Sequence, residues 1–268
     1  LYSVSSVFNG YRGNEIFVSG NGCVLGDLRL KLHRIFNLSL DRPRLRPSQS
    51  LFSLKDSRFL RNPHEKITNY KPVGHVSLVK GSYDYHHYMQ EGFDDCGWGC
   101  AYRSLQTIWS WFNYQGFTEK PVPTHQIIQQ SLVDCGDKSS SFVGSRHWIG
   151  STELGFCLNN MLGIESRIIT TNSGSEVADN VRQLAVHFET AGTPVMIGGG
   201  QLAHTILGVD FNPDTGDCAF LVLDPHYTGE DLIQPVLSKG WCGWKTPGFW
   251  KPEYFYNLLL PTPPSNII

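Results

Sequence analysis

The hydrophobic pattern of the sequence changes its period once, and this change constrains the fold more than any other feature. Between residues 98 and 192, apolar side chains recur at helical spacing, whereas residues 194–223 hold short continuous apolar runs of strand length. Two of these runs, 205–211 and 218–223, flank the turn sequence Asn-Pro-Asp-Thr-Gly, which predicts a hairpin. Helices followed by antiparallel strands predict an α+β fold.

Four helices are predicted before the change of period. Thr124 is expected to cap the second helix, Ser151 to cap the third, which stops at Gly163, and Ser175 to begin a fourth that ends near Gly192. The first helix covers 98–112, and its apolar face is formed by Ala101, Tyr102, Leu105, Ile108, Trp109 and Phe112.

The charges of the chain are balanced overall but not along its length. The 268 residues include 22 basic and 24 acidic side chains, which argues against a nucleic-acid-binding protein. No apolar run approaches the ~20 residues that span a bilayer, so no membrane span of its own is expected. Residues 27–66, however, carry an excess of +6 against −8 elsewhere, and they contain three prolines. We therefore predict that 1–70 is the remnant of an N-terminal domain plus a linker, and that 71–268 is the main domain. A basic partner site in 27–66 is the alternative to a solvated linker.

The cysteines point to a reducing compartment, and one of them is set apart by its position. An odd number, seven, spread along a long chain does not indicate a disulfide framework. Cys100 follows Gly97-Trp98-Gly99, where the glycines indicate a tight turn with a close backbone approach. It lies at the N-terminal end of the first predicted helix, where free N–H groups and the helix dipole favour a thiolate. The segment alone leaves two interpretations open, a nucleophile or a buried core cysteine.

A second candidate site stands at the end of the last predicted strand. Asp224 and His226 are two residues apart in extended chain, so their side chains point the same way, and Pro225 restrains the backbone between them. A carboxylate beside an imidazole orients the ring and stabilises its cation. Together with Cys100, the pair predicts a cysteine–histidine–aspartate set for acyl transfer.

Three other groups compete for a role. Cys96 and Cys100 with His86 and His87 have a spacing that zinc permits, but no second pair completes a site. His204 is a rival base, yet no carboxylate neighbours it in the sequence, which favours a core histidine. The triple glycine at 198–200 lacks the residues of a phosphate loop, so a sharp turn or a close approach to a ligand fits better.

Several longer motifs stand in order in the second part of the chain. They are Tyr-Met-Gln at 88–90, Gly-Trp-Gly-Cys-Ala-Tyr-Arg-Ser-Leu-Gln at 97–106, Val-Gly-Ser-Arg at 143–146, Gly-Gly-Gly at 198–200, Ala-His-Thr-Ile-Leu-Gly at 203–208 and Asp-Pro-His-Tyr-Thr-Gly at 224–229. With these motifs, the chain from about residue 75 to the C-terminus resembles the ubiquitin-fold modifier-specific cysteine proteases, especially the longer, type 2 members.

The resemblance implies a papain-like catalytic domain at 71–268. It assigns Cys100 as nucleophile, His226 as base, Asp224 as the partner that orients it, and Tyr88 as an oxyanion donor beside the backbone N–H of Cys100. No metal or cofactor is implied. We further expect Trp98 and Gly198, Gly199 and Gly200 to line a narrow slot for an extended substrate tail.

The resemblance also implies a substrate, a location and two alternatives. The expected reaction is hydrolysis after the C-terminal glycine of a ubiquitin-fold modifier, both in its precursor and in its conjugates. The expected location is the cytoplasm, with recruitment to the endoplasmic reticulum by an adaptor protein. The alternatives are a catalytically silent module that binds the modifier or the adaptor, and a protease for the autophagy modifier.

Overall fold

The computed structural model describes residues 58–263, together with residues 31, 32, 34 and 35. Most of the basic segment 27–66 lies outside these residues. The five α-helices within residues 58–263 are α1 (Cys100–Tyr114), α2 (His125–Asp134), α3 (Ser151–Leu162), α4 (Val181–Thr190) and α5 (Ile233–Ser238). The strands are β1 (His75–Leu78), β2 (Glu165–Thr171), β3 (Val195–Gly199), β4 (Leu202–Phe211), β5 (Cys218–Leu223), β6 (Cys242–Lys245) and β7 (Tyr256–Thr262).

The seven strands form one antiparallel sheet in the order β2-β7-β3-β4-β5-β6, and β1 pairs with the second half of β4. The predicted hairpin of β4 and β5 is present, with Phe211 opposite Cys218 and Thr205 opposite Leu223. The expectation of an α+β fold with an antiparallel sheet is confirmed.

Helices cover both faces of this sheet, because strand residues alternate between two buried clusters. Met196 and Leu259 pack with α1, α2 and α3, whereas their neighbours Ile197 and Leu258 pack with α4. Alternation with period two is what a sheet buried on both faces requires. The helix α1 therefore lies against the middle of the sheet, and its N-terminus reaches the edge where β5 ends.

The predicted start of α2 is confirmed, α1 begins and ends two residues later than predicted, and the starts of the other two helices need correction. Thr124 caps α2, accepting a hydrogen bond from the Ile127 N–H at 3.4 Å. Ser151 does not cap α3; it is the first helical residue, and its hydroxyl donates instead to the Asn257 carbonyl on β7 at 2.9 Å. The fourth helix does not begin at Ser175: a 3-10 helix, Gly174–Asn180, capped by Ser173, precedes α4, which begins at Val181.

The segment before β1 is fastened to the sheet and to the core. Leu60 and Ile67 pack against the larger cluster, and the Asn62 N–H donates to the Tyr83 carbonyl at 3.2 Å. The buried Asp210 carboxylate on β4 accepts hydrogen bonds from the Tyr70 hydroxyl at 2.6 Å and from the N–H groups of residues 73 and 74 at 2.7 and 2.8 Å. The domain boundary predicted at residue 70 stays a prediction, since most of 1–70 lies outside the described residues.

Candidate active site

Cys100 is the first residue of α1. The two glycines before it, Gly97 and Gly99, are required for different structural reasons. Gly97 has a φ of +80°, which a tight turn needs and a side chain disfavours. Gly99 lies against Asp95, so a Cβ there would stand only 2.4 Å from the Asp95 Oδ2. The close backbone approach expected from the sequence is therefore an approach to this carboxylate. It places the Cys100 thiol, 7% exposed, at the free N–H groups of the helix.

Asp224 and His226 lie side by side just beyond the end of β5. The Asp224 Oδ1 is 2.5 Å from the His226 Nδ1 and also accepts the His226 backbone N–H at 3.0 Å. The Asp224 N–H in turn donates to the Trp241 carbonyl at 2.7 Å. The carboxylate is thus fixed by backbone on one side and fixes the imidazole on the other, so Nε2 is the free atom of the ring.

The electrostatics of this pair favour an imidazolium. Burial lowers the pKa of His226, but the hydrogen bond to Asp224 and the contact with Cys100 outweigh it and raise the pKa to about 9. Burial raises the pKa of Asp224, and its bonds to His226 outweigh that, so the pKa falls below its usual value. In the described part of the chain, the buried Nε2 of His226 has no hydrogen-bond partner. The ring can therefore take a proton from the thiol.

Tyr88 completes the group. Its ring meets the His226 ring edge-on at 5.3 Å between centroids, and its backbone N–H donates to the Pro225 carbonyl at 2.9 Å. Burial, the charge of Cys100 and a side-chain contact with Cys100 raise the pKa of Tyr88. The Tyr88 hydroxyl consequently keeps its proton beside the sulfur and can donate it in a hydrogen bond.

The residues expected to line a slot also lie together. A cavity of about 200 Å³ opens beside Cys100. Trp98 and Gly198, Gly199 and Gly200 line it together with Trp148, Leu202 and Phe255, among others. Gly200 has a φ of +58° and turns the chain from β3 into β4, while a Cβ on Gly199 would stand 2.2 Å from the Tyr256 ring. The glycines thus serve both a sharp turn and a close approach, here to a neighbouring aromatic side chain.

Sequence reasoning missed the residue that anchors this loop, Asp95. Its buried carboxylate is 2.6 Å from the Arg103 Nε and 3.0 Å from the His125 Nε2, and it accepts the Met89 N–H at 3.0 Å. Burial raises the pKa of Asp95, but its bonds to His125 and Arg103 outweigh that and lower it. Met89, whose φ is +63°, turns the chain directly after Tyr88. Asp95 therefore holds both ends of the segment that carries Tyr88 and Trp98.

A second missed contact ties this segment to the Asp224–His226 loop. The His87 Nδ1 lies 2.9 Å from the Tyr88 carbonyl and 3.1 Å from the Tyr227 carbonyl, and its Nε2 lies 3.3 Å from the Asp231 Oδ1. Gln90 donates to the same Asp231 oxygen at 2.9 Å. His87 and Gln90 lie within two residues of Tyr88, but their partners Tyr227 and Asp231 are about 140 residues away in the sequence. The sequence therefore did not predict this clamp.

Two competing interpretations are resolved by where the side chains lie. The inference that no carboxylate lies near His204 is wrong, because the His204 Nε2 lies 3.7 Å from the Asp224 Oδ2. Burial lowers the pKa of His204 to about 4, which does not suit a base at neutral pH. Within residues 58–263, the metal-ligand atoms that gather within 4.8 Å are those of His204, Asp224 and His226. Cys96, Cys100, His86 and His87 form no such group there.

Comparison with known proteins decides the family. A family model described as Peptidase family C78 matches residues 74–259. The chain belongs to peptidase family C78. Among similar C78 proteins, the Ufm1-specific protease of Caenorhabditis elegans is 60% identical over 246 residues, which cover 90% of this chain and 42% of that protein. Ufm1-specific protease 2 of Homo sapiens is 54% identical over 244 residues, which cover 89% of this chain and 52% of that protein.

A solved C78 structure agrees with the fold. The crystal structure of UfSP from C. elegans superposes with a TM-score of 0.80 at 56% identity, covering 89% of this chain and 45% of that one. The expected papain-like fold and the expected family are confirmed. The chain spans about half or less of the length of these relatives. Within the described part of this C78 chain, no helix combines the length and apolar character needed to cross a bilayer.

Proposed function

We propose that the chain hydrolyses the bond after the C-terminal glycine of Ufm1, in the precursor and in conjugates with substrate lysines. The observation that carries this proposal is the Cys100 thiol at the start of α1, beside an imidazole whose Nδ1 is 2.5 Å from the Asp224 Oδ1. The relatives named Ufm1-specific protease support the choice of substrate.

The reaction begins when the Cys100 thiol gives its proton to the His226 Nε2. The thiolate attacks the glycine carbonyl carbon and the C–O π bond opens to an oxyanion. The C–N bond then breaks as His226 returns its proton to the leaving amine, which leaves a thioester. A water molecule, deprotonated by His226, attacks the thioester and releases the glycine carboxylate and the thiol.

The oxyanion is stabilised by the Tyr88 hydroxyl and the backbone N–H of Cys100. Both groups are donors fixed before the reaction, one by the clamp around His87 and the other by the helix start. A tail ending in small residues fits the cavity between Trp98 and the triple glycine, where a wider side chain meets the β3–β4 turn.

A covalent probe tests the proposal directly. Ufm1 carrying a C-terminal electrophile should form a stable adduct with the protein, and peptide mapping should place it on Cys100. Cys96→Ser is the matched control, because Cys96 is exposed four residues away and should not matter. If Cys100→Ser still forms the adduct while Cys96→Ser does not, the assignment is wrong.

The same material separates the alternatives. A silent binding module would bind Ufm1 without releasing product from a Ufm1 precursor. A protease for the autophagy modifier would cleave that precursor in preference to the Ufm1 precursor. Side-by-side cleavage of the two precursors at equal concentration therefore distinguishes all three functions.

The proposal extends to location. The resemblance to the longer family members supports a cytoplasmic protein brought to the endoplasmic reticulum by an adaptor. Fractionation of cells that express the tagged full-length protein should place it in the microsomal fraction, from which removal of the adaptor shifts it to the supernatant. A protein that stays in the microsomal fraction without any adaptor would contradict this.

A further inference from the structure

The register of the β4–β5 hairpin places a second histidine against the carboxylate of the catalytic pair. Thr205 lies opposite Leu223, so one step further along the ladder His204 faces Asp224. Residues directly opposite in an antiparallel pair have Cβ atoms about 5 Å apart on one face of the sheet. His204 and Asp224 therefore share the face on which the His226 ring stands, and the two imidazoles lie 5.3 Å apart.

The two oxygens of Asp224 have different surroundings. Oδ1 receives both the Nδ1 and the backbone N–H of His226. Oδ2 faces the His204 Nε2 at 3.7 Å, which exceeds a hydrogen bond by about 0.5 Å. Catalytic contacts are often long before substrate binds and shorten in the complex. A small rotation of the carboxyl group or of the ring would bring a proton on Nε2 onto Oδ2.

The surroundings of His204 keep its ring neutral and in place. The ring is 7% exposed and packs edge-on against Phe249 at 5.2 Å and Trp250 at 6.0 Å. Burial lowers the pKa of His204 to about 4, against the opposite effect of Asp224, so the ring carries a single proton at neutral pH. A neutral ring with that proton on Nε2 donates to Oδ2 without adding a charge beside His226.

The position of His204 also connects it to the slot. It lies two residues after Leu202, which lines the cavity beside Cys100, and it follows the Gly200 turn on the same strand. It lines a second cavity, of about 480 Å³, on the Asp224 side. A tail that presses on the β3–β4 turn thus bears on the strand end that carries His204.

We propose that His204 is a positioning residue of this active site: a small rotation closes the 3.7 Å gap, the His204 Nε2 donates to the Asp224 Oδ2, and Oδ1 is thereby kept on His226, both in the free protein and in the substrate complex. The expected effect on kcat rests on the proposed function, whereas the hydrogen bond from His204 to Asp224 does not. Without this donor the carboxyl group is held on one side only. The imidazole then samples orientations that cannot reach the Cys100 sulfur, and kcat falls while KM changes little.

The test compares three substitutions at one position. His204→Gln keeps a donor at about the distance of Nε2, His204→Asn is shorter by one methylene, and His204→Leu removes the donor but keeps the apolar volume. Two readouts are measured: kcat and KM for a Ufm1 fusion, and the downfield proton resonance of the His226 Nδ1–H in the protein without substrate. His187→Gln is the matched control, because His187 is also buried but bonds to Thr193.

We expect His204→Leu and His204→Asn to lower kcat about tenfold with KM within about twofold, and to broaden the downfield resonance. His204→Gln should restore both. The proposal is overturned if His204→Leu leaves both readouts unchanged. It is also overturned if His204→Gln behaves as His204→Leu does, since the loss of packing would then explain the effect. If Leu prevents folding, the Gln–Asn comparison decides. If the wild-type protein lacks turnover of Ufm1 but the resonance responds as expected, the proposed function fails and the positioning role stands.

Discussion

At the scale of single residues, the proposed chemistry depends on the bond between Asp224 and His226. This bond raises the pKa of His226 against the effect of burial, so the imidazolium persists through neutral pH. The protonated ring is the form that the folded protein stabilises. The bond between Asp224 and the protonated ring therefore stabilises the folded protein fully below the usual histidine pKa of about 6.5. This stabilisation is lost as pH rises through about 9.

Asp224→Asn should remove this effect while keeping the size of the side chain. We expect kcat/KM to fall by about 10². The alkaline limb of its pH profile should move from about pH 9 toward the usual pKa of histidine. The pH dependence of kcat/KM measures both, and Cys135→Ala, on the exposed end of α2, should leave the profile unchanged. An unchanged alkaline limb in Asp224→Asn would mean that another group holds the imidazolium.

Tyr88→Phe should remove one oxyanion donor and nothing else. Because the ring contact with His226 is kept, we expect KM to stay nearly constant while kcat falls by about 10² to 10³. Steady-state kinetics on a Ufm1 fusion measure the change, with Tyr114→Phe, whose hydroxyl bonds to Asp84 away from the site, as control. A loss confined to KM would assign Tyr88 to binding.

At the scale of elements, the segment from Tyr88 to Gly99 is held by a carboxylate rather than by secondary structure. Asp95 joins α1 through Arg103, α2 through His125 and the turn at Met89. Both α1 and α2 therefore fix the position of this segment. The position of Tyr88 thus depends on the packing of α1 and α2.

Asp95→Asn should reduce both stability and rate. Arg103, 2% exposed, would keep a buried charge without its partner, which costs about 3–5 kcal/mol. Urea unfolding measures this loss, and kcat should fall with it because Tyr88 is no longer fixed. Asp94→Asn is the control: its carboxylate is exposed and 3.8 Å from the Arg146 guanidinium, so a change above about 1 kcal/mol there would undermine the comparison.

Local patterns in the sequence predicted what depends on local sequence. The period of α1, the Thr124 cap and the β4–β5 turn are each contained in a few residues, and Asp224 with His226 needs only the alternation of an extended chain. What was missed is non-local. Asp95 meets His125 across 30 residues, and His204 meets Asp224 only through the hairpin register. The sequences of β2 and β7 lack a clear alternation of apolar and polar residues, so these strands are recognised from their pairing with each other.

At the scale of the whole molecule, one buried carboxylate fastens the segment before β1 to the middle of the sheet. Asp210 accepts three hydrogen bonds, from the Tyr70 hydroxyl and from two backbone N–H groups. Tyr70 also stacks on Trp244 of β6 at 4.2 Å. The segment thus bridges β4 and β6, and Trp244 packs against the same core cluster as α1.

Asp210→Asn should release this segment while the active site stays intact. An amide accepts these donors less strongly than a carboxylate, so we expect a loss of about 2 kcal/mol and faster chymotrypsin cleavage after Tyr70. Labelling of Cys100 by the electrophilic probe should continue at the wild-type rate. Asp214→Asn, in the exposed turn after β4, is the control. Loss of labelling in Asp210→Asn would show that the segment before β1 supports the site.

The strand order has a consequence for synthesis of the protein. The last of the seven strands, β7, lies between β2 and β3, so β2 lacks its strand partner and β3 lacks one of its two neighbours until residues 256–262 have left the ribosome. Cys100 is translated more than a hundred residues earlier. A growing chain therefore carries Cys100 long before it has the complete sheet beside which His226 lies.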